Sequence, residues 1–280
     1  MMRGMYAAIS GLKNHQMMLD VTANDIANVN TIGYKSARTT FKDTMTQMQR
    51  GGSAPNGIQG GSNPAQIGLG VQLGSIDNMM GSGSFQSTGE VLDIGIQGDG
   101  FFTLTPNADG SGLQEYTRAG NFTRNRDGQL VTQDGYYVRG YTANQGPPAT
   151  PTTTTSAITI PATATNLAVA QDGSISYIDA DSGNRVTAGF LQLTKFANPS
   201  GLERNAGNRW IGSPNAGAPQ SGVAGADGLG LTKSGVVEMS NVDLAGAFTQ
   251  MITAQRGFQA NSRVISTSDE MLQELTNLKR

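Results

Sequence analysis

The residues able to carry chemistry are few and widely spaced. His15 is the sole histidine of a 280-residue chain that has no cysteine. Thiolate chemistry, disulfides, Cys/His metal sites and a Ser-His-Asp triad would each need partners that a single imidazole does not have. His15 is therefore read as a solvent-facing or interface residue. Among the carboxylates, DADSGN (Asp179 to Asn184) places acids at alternate positions, as calcium loops do. A helical calcium loop also needs a bidentate Glu further on and flanking helices, and neither follows, so a hairpin turn is expected. Asp-Gly pairs at Asp99-Gly100, Asp109-Gly110, Asp127-Gly128, Asp134-Gly135 and Asp172-Gly173 offer the paired acids of glycoside hydrolysis. Turn chemistry accounts for them more simply, because Gly adopts positive φ and Asp tolerates it. GLGVQLG (Gly68 to Gly74) has the wrong spacing for a dinucleotide loop and no helix pattern after it, and reads as flexible β structure. No catalytic, metal or cofactor site is expected, and the chain is not read as an enzyme.

The elements that would position such residues point elsewhere. A formal charge of −2 with 14% charged residues gives neither a basic surface for nucleic acid nor a solvating acidic tail. The 38 glycines and 6% aromatics predict many turns and short strands. No apolar run approaches the roughly eighteen residues of a membrane span, so no membrane insertion is expected. MMRGMYAAISGLKNHQ lacks the apolar core of a secretory signal, and export would need another route. The length suits one large structural unit or two to three smaller ones.

Met5, Ile9, Leu12, Leu19, Ala23 and Ile26, with Gln16 in the gap, recur at alternating steps of four and three, a heptad seam. Leu244, Phe248, Met251, Phe258, Ile265 and Leu272 repeat the pattern at the other end of the chain. There Gln255, Ser262 and Asp269 are polar interruptions, and Met271, Leu275 and Leu278 broaden the stripe. Ser240 or Asn241 is the expected cap of this second helix. Two readings stay open: the helices cover the core of a globular domain, or they meet each other and further copies, with Gln16 and Gln255 fixing register.

Between the helices the period falls to two. VLDIGIQGDGFFTL puts Leu92, Ile94 and Ile96 on one face, and GFLQLTKF (Gly189 to Phe196) is a further strand. The expected fold class is α+β. Terminal α-helices from residues 1–34 and 236–280 form a coiled-coil-like inner domain, residues 35–88 a Gly-rich extended connector, and residues 89–235 a β-rich domain of short hairpins. The low-complexity segment 144–157 is expected as a surface loop with polyproline II character. Ile67, Leu69, Val71 and Leu73 alternate, leaving the connector as either a flexible linker or a strand laid on another surface. All twelve methionines lie in 1–80 or 239–271, where adaptable side chains suit a deforming assembly or ordinary core filling.

LDVTANDIANVNTIGYKSARTTFKD, from Leu19 to Asp43, resembles the N-terminal signature of the axial proteins of the bacterial flagellum: the rod, hook and hook-associated proteins. In that family an amphipathic helix runs into an Asn-rich NNIANVNTxGFK segment. The match is close at Ile26 to Asn30 and at Gly33 to Lys35; Asp25 stands where Asn is usual and Tyr34 where Phe is common. The segment from Ser234 to Arg280 resembles the family's C-terminal end, and LDIGIQGDGFF is similar to the start of its β domain. TFKD, EMSNVDL and QRGFQANSRVISTSDE look most like hook proteins, whereas the chain length is closer to that of a distal-rod protein. The resemblance implies a short hook subunit, with a distal-rod protein of the basal body as the alternative.

That resemblance implies a self-assembling helical tube, with terminal helices inside around a channel and β domains outside. The seam residues named above would be subunit contacts. A hook would act as a flexible joint passing torque from rod to filament, located in the extracellular hook, or in the basal-body rod under the alternative. The partners implied are copies of the chain itself, the rod, hook-cap and hook–filament junction proteins, and the flagellar type III export apparatus. Asn24, Asn28 and Asn30 are expected to satisfy backbone groups where the inner helix stops, with Gly33 and Tyr34 completing the motif. Phe41 and Met45 fit the Phe-x-x-x-apolar pattern that such substrates present at the export gate; a hydrophobic pair anchoring a helix fits them equally. A lone pair of such helices is marginal, so the ends are expected to fold on assembly.

Overall fold

The computed structural model describes residues 2–55, 60–144, 150–180 and 183–278. The chain divides into two units: Met1–Ala27, Ala37–Asp77 and Asp243–Arg280 form one, and Asn28–Ser36 with Asn78–Val242 form the other. The class is α+β, with terminal helices and a many-stranded middle.

The first unit is built on helices α1 (Met2–Ala27) and α2 (Leu244–Asn277). Neither contains proline, and each keeps an apolar or small residue every three to four positions, so the hydrogen-bond ladder runs unbroken. α1 stops at Ala27, short of the expected residue 34, and residues 28–36 fold with the strands. The cap of α2 is Asp243, not Ser240 or Asn241: its carboxylate accepts from the Ala245 amide at 3.1 Å. The expected connector is not one piece either. Strand Ala37–Asp43 pairs with Val71–Asn78, and Thr46–Arg50 pairs with Ala65–Gly68. Val71 is tied to α1 from both sides of its peptide: Asn14 Nδ2 donates to its carbonyl at 2.8 Å, and its amide donates to Ser10 Oγ at 3.3 Å. Of the two open readings of this stretch, the docked strand is observed from Val71 on, while Ile67 and Leu69 are exposed.

The second unit centres on a 12-stranded sheet in which every pairing of the described residues is antiparallel. Strand Phe101–Thr105 lies at its heart, buried at all five positions, and pairs with Glu115–Thr117, Tyr137–Asn144 and Arg185–Lys195. Successive side chains point to opposite faces of a strand. Phe102 and Leu104 accordingly enter a large core with Ile94, Ile96, Leu191 and Leu193, while Phe101 enters a second with Tyr116, Phe196 and Trp210. The glycines of the five Asp-Gly pairs all have positive φ, as turn chemistry requires. Strands Ser174–Ile178 and Arg185–Lys195 are joined through DADSGN, where the Asp179 amide donates to the Asn184 carbonyl at 3.1 Å; Asp181 and Ser182 lie outside the described residues.

Two boundaries move. Strand Phe85–Ser87 pairs with Val236–Glu238, which draws the β unit out to Asn78 and Val242, beyond the expected 89–235. Within the expected loop 144–157, Thr150–Ala157 is a strand paired with Tyr137–Asn144, and residues 145–149 lie outside the described residues. β-Branched threonines favour the pleat, and the hydroxyls of Thr142, Thr152 and Thr154 hydrogen-bond one another across the pair.

Candidate functional site

Two arrangements of side chains stand out, one in each unit. The first is the seam between α1 and α2. A Cβ added to Gly11 would lie 2.7 Å from Asn261 Nδ2, and one added to Gly257 would lie 2.5 Å from His15 Nε2. Residue 11 therefore sits at 261 and residue 15 at 257, so the helices run antiparallel and approach closely through glycine. The buried residues of the pair are small or polar: Ala8, Gly11, Asn14, Thr22 and Asp25 on α1, Ala247 and Ala254 on α2.

This differs from the expected seam. Met5, Ile9, Leu12, Leu19 and Ile26 are half-buried on the flank of the contact, while Gln16 and Ala23 are exposed. On α2, Met251, Phe258, Ile265 and Leu272 are half-buried, but Leu244, Phe248 and Gln255 are exposed. The contact line runs one position earlier than the expected Phe248–Gln255 line, through Ala247 and Ala254 seven residues apart. Small residues let two backbones approach, and on α2 a subset of the large apolar side chains is left exposed. Phe248 is 50% exposed and Ile252 51%. The glutamines fix no register within the chain, because neither lies in the contact. His15 touches Gly257 and meets Phe41 edge-on at 6.3 Å between ring centroids.

The second arrangement is a buried ionic network in the β unit. Lys35 Nζ donates to Glu238 Oε1 at 2.7 Å and to the Gly81 carbonyl at 2.9 Å. Arg118 Nη1 donates to Glu238 Oε2 at 3.2 Å, and its Nη2 to the Gly98 carbonyl at 2.8 Å. Glu238 Oε1 accepts from the Gly83 amide as well, at 2.9 Å. Burial lowers the Lys35 pKa from its usual 10.5; Glu238 opposes that shift, and Arg118 adds to it. One carboxylate thus ties together segments from four places in the sequence.

The family motif feeds this network. Gly33 has φ +69°, its amide donates to the Glu238 carbonyl at 2.8 Å, and a Cβ there would lie 2.5 Å from the Ala119 nitrogen. Only glycine fits that turn. Tyr34 is buried, with the Arg204 guanidinium 4.6 Å above its ring and Arg204 Nη1 donating to its hydroxyl at 3.2 Å. Arg204 also faces the Trp210 ring at 5.1 Å and donates to the Lys35 carbonyl. Asn28 accepts from the Thr31 hydroxyl at 3.1 Å in the turn itself. Asn24 lies in the last turns of α1, and Asn30 lines a cavity of about 310 Å³ with Thr31, Asp134, Asn208 and Arg209. Arg209 is paired with both Glu115 and Asp134, so the cavity offers no uncompensated cation to a ligand. Among the described residues no group of three or more His, Cys, Asp or Glu side chains is placed to hold a metal, and no helix is long and apolar enough to cross a membrane.

Reading the sequence missed the roles of Lys35, Arg118 and Glu238 and gave Asn241 a different one. Asn241 Oδ1 accepts from the Ser36 amide at 2.8 Å while its Nδ2 donates to the Met79 carbonyl at 2.7 Å, a tie between loop segments where a helix cap was expected. Lys35 and Glu238 both sit inside quoted motifs, which was the only available signal. Asp25, noted as a departure from the family, accepts from the Ala37 amide at 3.2 Å and holds the chain after the Asn-rich turn.

Three family models cover segments that include most of both helices together with Lys35, Arg118 and Glu238. Residues 5–35 match a flagella basal body rod protein model. Residues 95–177 match the D1 domain of the flagellar hook protein FlgE/F/G, and residues 233–278 the C-terminal region of the flagellar basal body rod FlgEFG proteins. The flagellar basal-body rod protein FlgG of Bacillus subtilis is 47% identical over the whole of both chains. The chain belongs to the flagellar axial rod and hook protein family. Within that family the FlgG rod protein of Agrobacterium fabrum is 38% identical over 96% of this chain and 97% of its own, and the hook protein FlgE of Borreliella burgdorferi is 28% identical across 100% of each chain.

Proposed function

We propose that this axial-family chain is a non-enzymatic, structural subunit of the flagellar basal-body rod, placed in its distal part, that polymerises into a torque-bearing tube. The observation that carries the reading is the 47% identity to a rod protein over the full length, against 28% to a hook protein. The hook reading drawn from QRGFQANSRVISTSDE therefore gives way to its alternative. The helix pair supports polymerisation: its fully buried residues are small or polar, and Leu244, Phe248, Ile252, Met271 and Leu275 remain exposed for neighbouring copies. The seam residues of the sequence reading, Phe248, Leu244 and Gln255 among them, are assigned to contacts between copies, while Gly33 and Tyr34 lock the turn that follows α1.

Export belongs to the same reading. Phe41 rests against His15, so anchoring a helix accounts for it, but Met45 is 83% exposed and anchors nothing in the chain. We assign the pair to recognition by the export apparatus.

Electron microscopy of basal bodies from cells lacking the protein tests the main reading. A rod truncated before the hook is expected. A complete rod without a hook would return the assignment to the hook, and intact hook–basal bodies would remove both.

A further inference from the structure

The two helices are unequal, and their register says where the excess lies. Gly11 lies at Asn261 and His15 at Gly257. Continuing that register sets Met2, the first residue of α1, opposite Glu270. Among the described residues, no part of α1 lies beside α2 at that register from Met271 onward. This overhang presents Met271, Leu275 and Leu278, which are 51%, 50% and 82% exposed, with Leu272 beside them. Residues spaced by three and four lie on one helical face, so the overhang is a short apolar ridge.

The opposite end of α2 carries a second ridge. Leu244, Phe248 and Ile252 follow at intervals of four and are 41%, 50% and 51% exposed. Arg256 extends the same line by one more step, and among the described residues it forms no ion pair. Glu274 lies between the apolar residues of the overhang and is likewise unpaired among the described residues. The ridges occupy different ends of the helix and match in apolar character, with opposite charges at hand.

Resting on the assembly reading above, we propose that these ridges are the two halves of one contact between copies: the C-terminal overhang of α2 docks beside Leu244, Phe248 and Ile252 of the next copy, with Glu274 approaching Arg256. The contact joins different surfaces, so it repeats head to tail and does not close on a pair. Residues 252 and 275 are separated by about 35 Å along one straight helix at 1.5 Å per residue, so the two ridges of one chain cannot meet each other.

The absence of native cysteine makes the test clean. Ile252→Cys and Leu275→Cys chains are expressed separately and together in cells deleted for the natural copy, beside the unsubstituted chain. Axial structures are isolated, oxidised and run on a non-reducing gel. A covalent dimer that appears only on co-expression is the expected result. Dimers from either variant alone would mean that like surfaces meet, and assembled structures with no dimer in any sample would mean that the ridges do not touch; either overturns the contact while leaving the assembly reading intact. Unsubstituted chain that enters no axial structure would instead sink the assembly reading, and the contact with it. Should the first pair block assembly, Phe248→Cys with Leu278→Cys must give the same co-expression-only dimer.

Discussion

The helical unit and the β unit bury different kinds of residue, although both are read from clear periodic patterns. In the β unit Phe102, Leu104, Ile94, Ile96, Leu191 and Leu193 are fully or almost fully shielded, and strand Phe101–Thr105 is covered on both faces. In the helical unit alanine and glycine fill the contact, while Phe248, Ile252, Met271 and Leu275 stay about half exposed. Burial of a large apolar side chain stabilises by about 1.5–3 kcal/mol, so the β unit holds its stability within one chain. In the helical unit, Phe248, Ile252, Met271 and Leu275 forgo about half of that gain within one chain. On the assembly reading proposed above, the difference separates a part stabilised within one chain from a part completed by neighbouring copies.

The single tryptophan, Trp210, lies in the β unit, so its fluorescence reports that unit while helical circular dichroism reports the other. Phe102→Ala should cost the β unit about 3–5 kcal/mol by cavity formation, read as a lower denaturation midpoint by fluorescence. Glu238→Gln should cost a similar amount, about 3–5 kcal/mol, because it leaves Lys35 and Arg118 buried without their shared carboxylate. If either variant unfolded no earlier than the parent, the account of the β unit as self-sufficient through this core and this network would fail.

Ala254→Leu probes the other side. A large side chain in the close helical contact should cost about 1–3 kcal/mol by overpacking, seen as lost helical signal with unchanged Trp210 fluorescence. Stabilisation by leucine would mean that the helices are not in close contact there.

A smaller effect follows from Lys35. Its folded-state pKa lies below 10.5, so between that lowered value and 10.5 the unfolded chain holds the proton more often than the folded one. The contribution of Lys35 to the stability of the β unit should therefore rise with pH across that window. Lys35→Met should remove this contribution, so that the parent profile minus the variant profile rises with pH while the opposing Tyr116 and Tyr141 contributions cancel.

Phe248→Ala should change monomer stability by no more than about 0.5 kcal/mol, as for an exposed site, yet prevent incorporation into isolated axial structures. A large loss in the monomer would mean that Phe248 is already buried by its own chain.

How much of this was legible depends on the range of the interaction. Helix existence followed from spacing at positions such as Leu12 and Phe258, and the turns followed from Asp-Gly pairs whose glycines do take positive φ. Thr150–Ala157 was misread because low complexity looks like a loop until Tyr137–Asn144 supplies a partner strand. The cap of α2 shifted to Asp243 because Asn241, equally able to cap, is drawn into bonds with Ser36 and Met79.

The amino-acid order by itself determined the helical ends, the β middle and the family, since each rests on local periodicity or on contiguous motifs such as ANDIANVNTIGYK. Only the tertiary structure decided which line of each helix meets the other, and that Lys35, Arg118 and Glu238 share one buried site. Periodicity marks an apolar face without naming what covers it. A salt bridge across 203 positions of sequence exists only once the chain has brought its ends together.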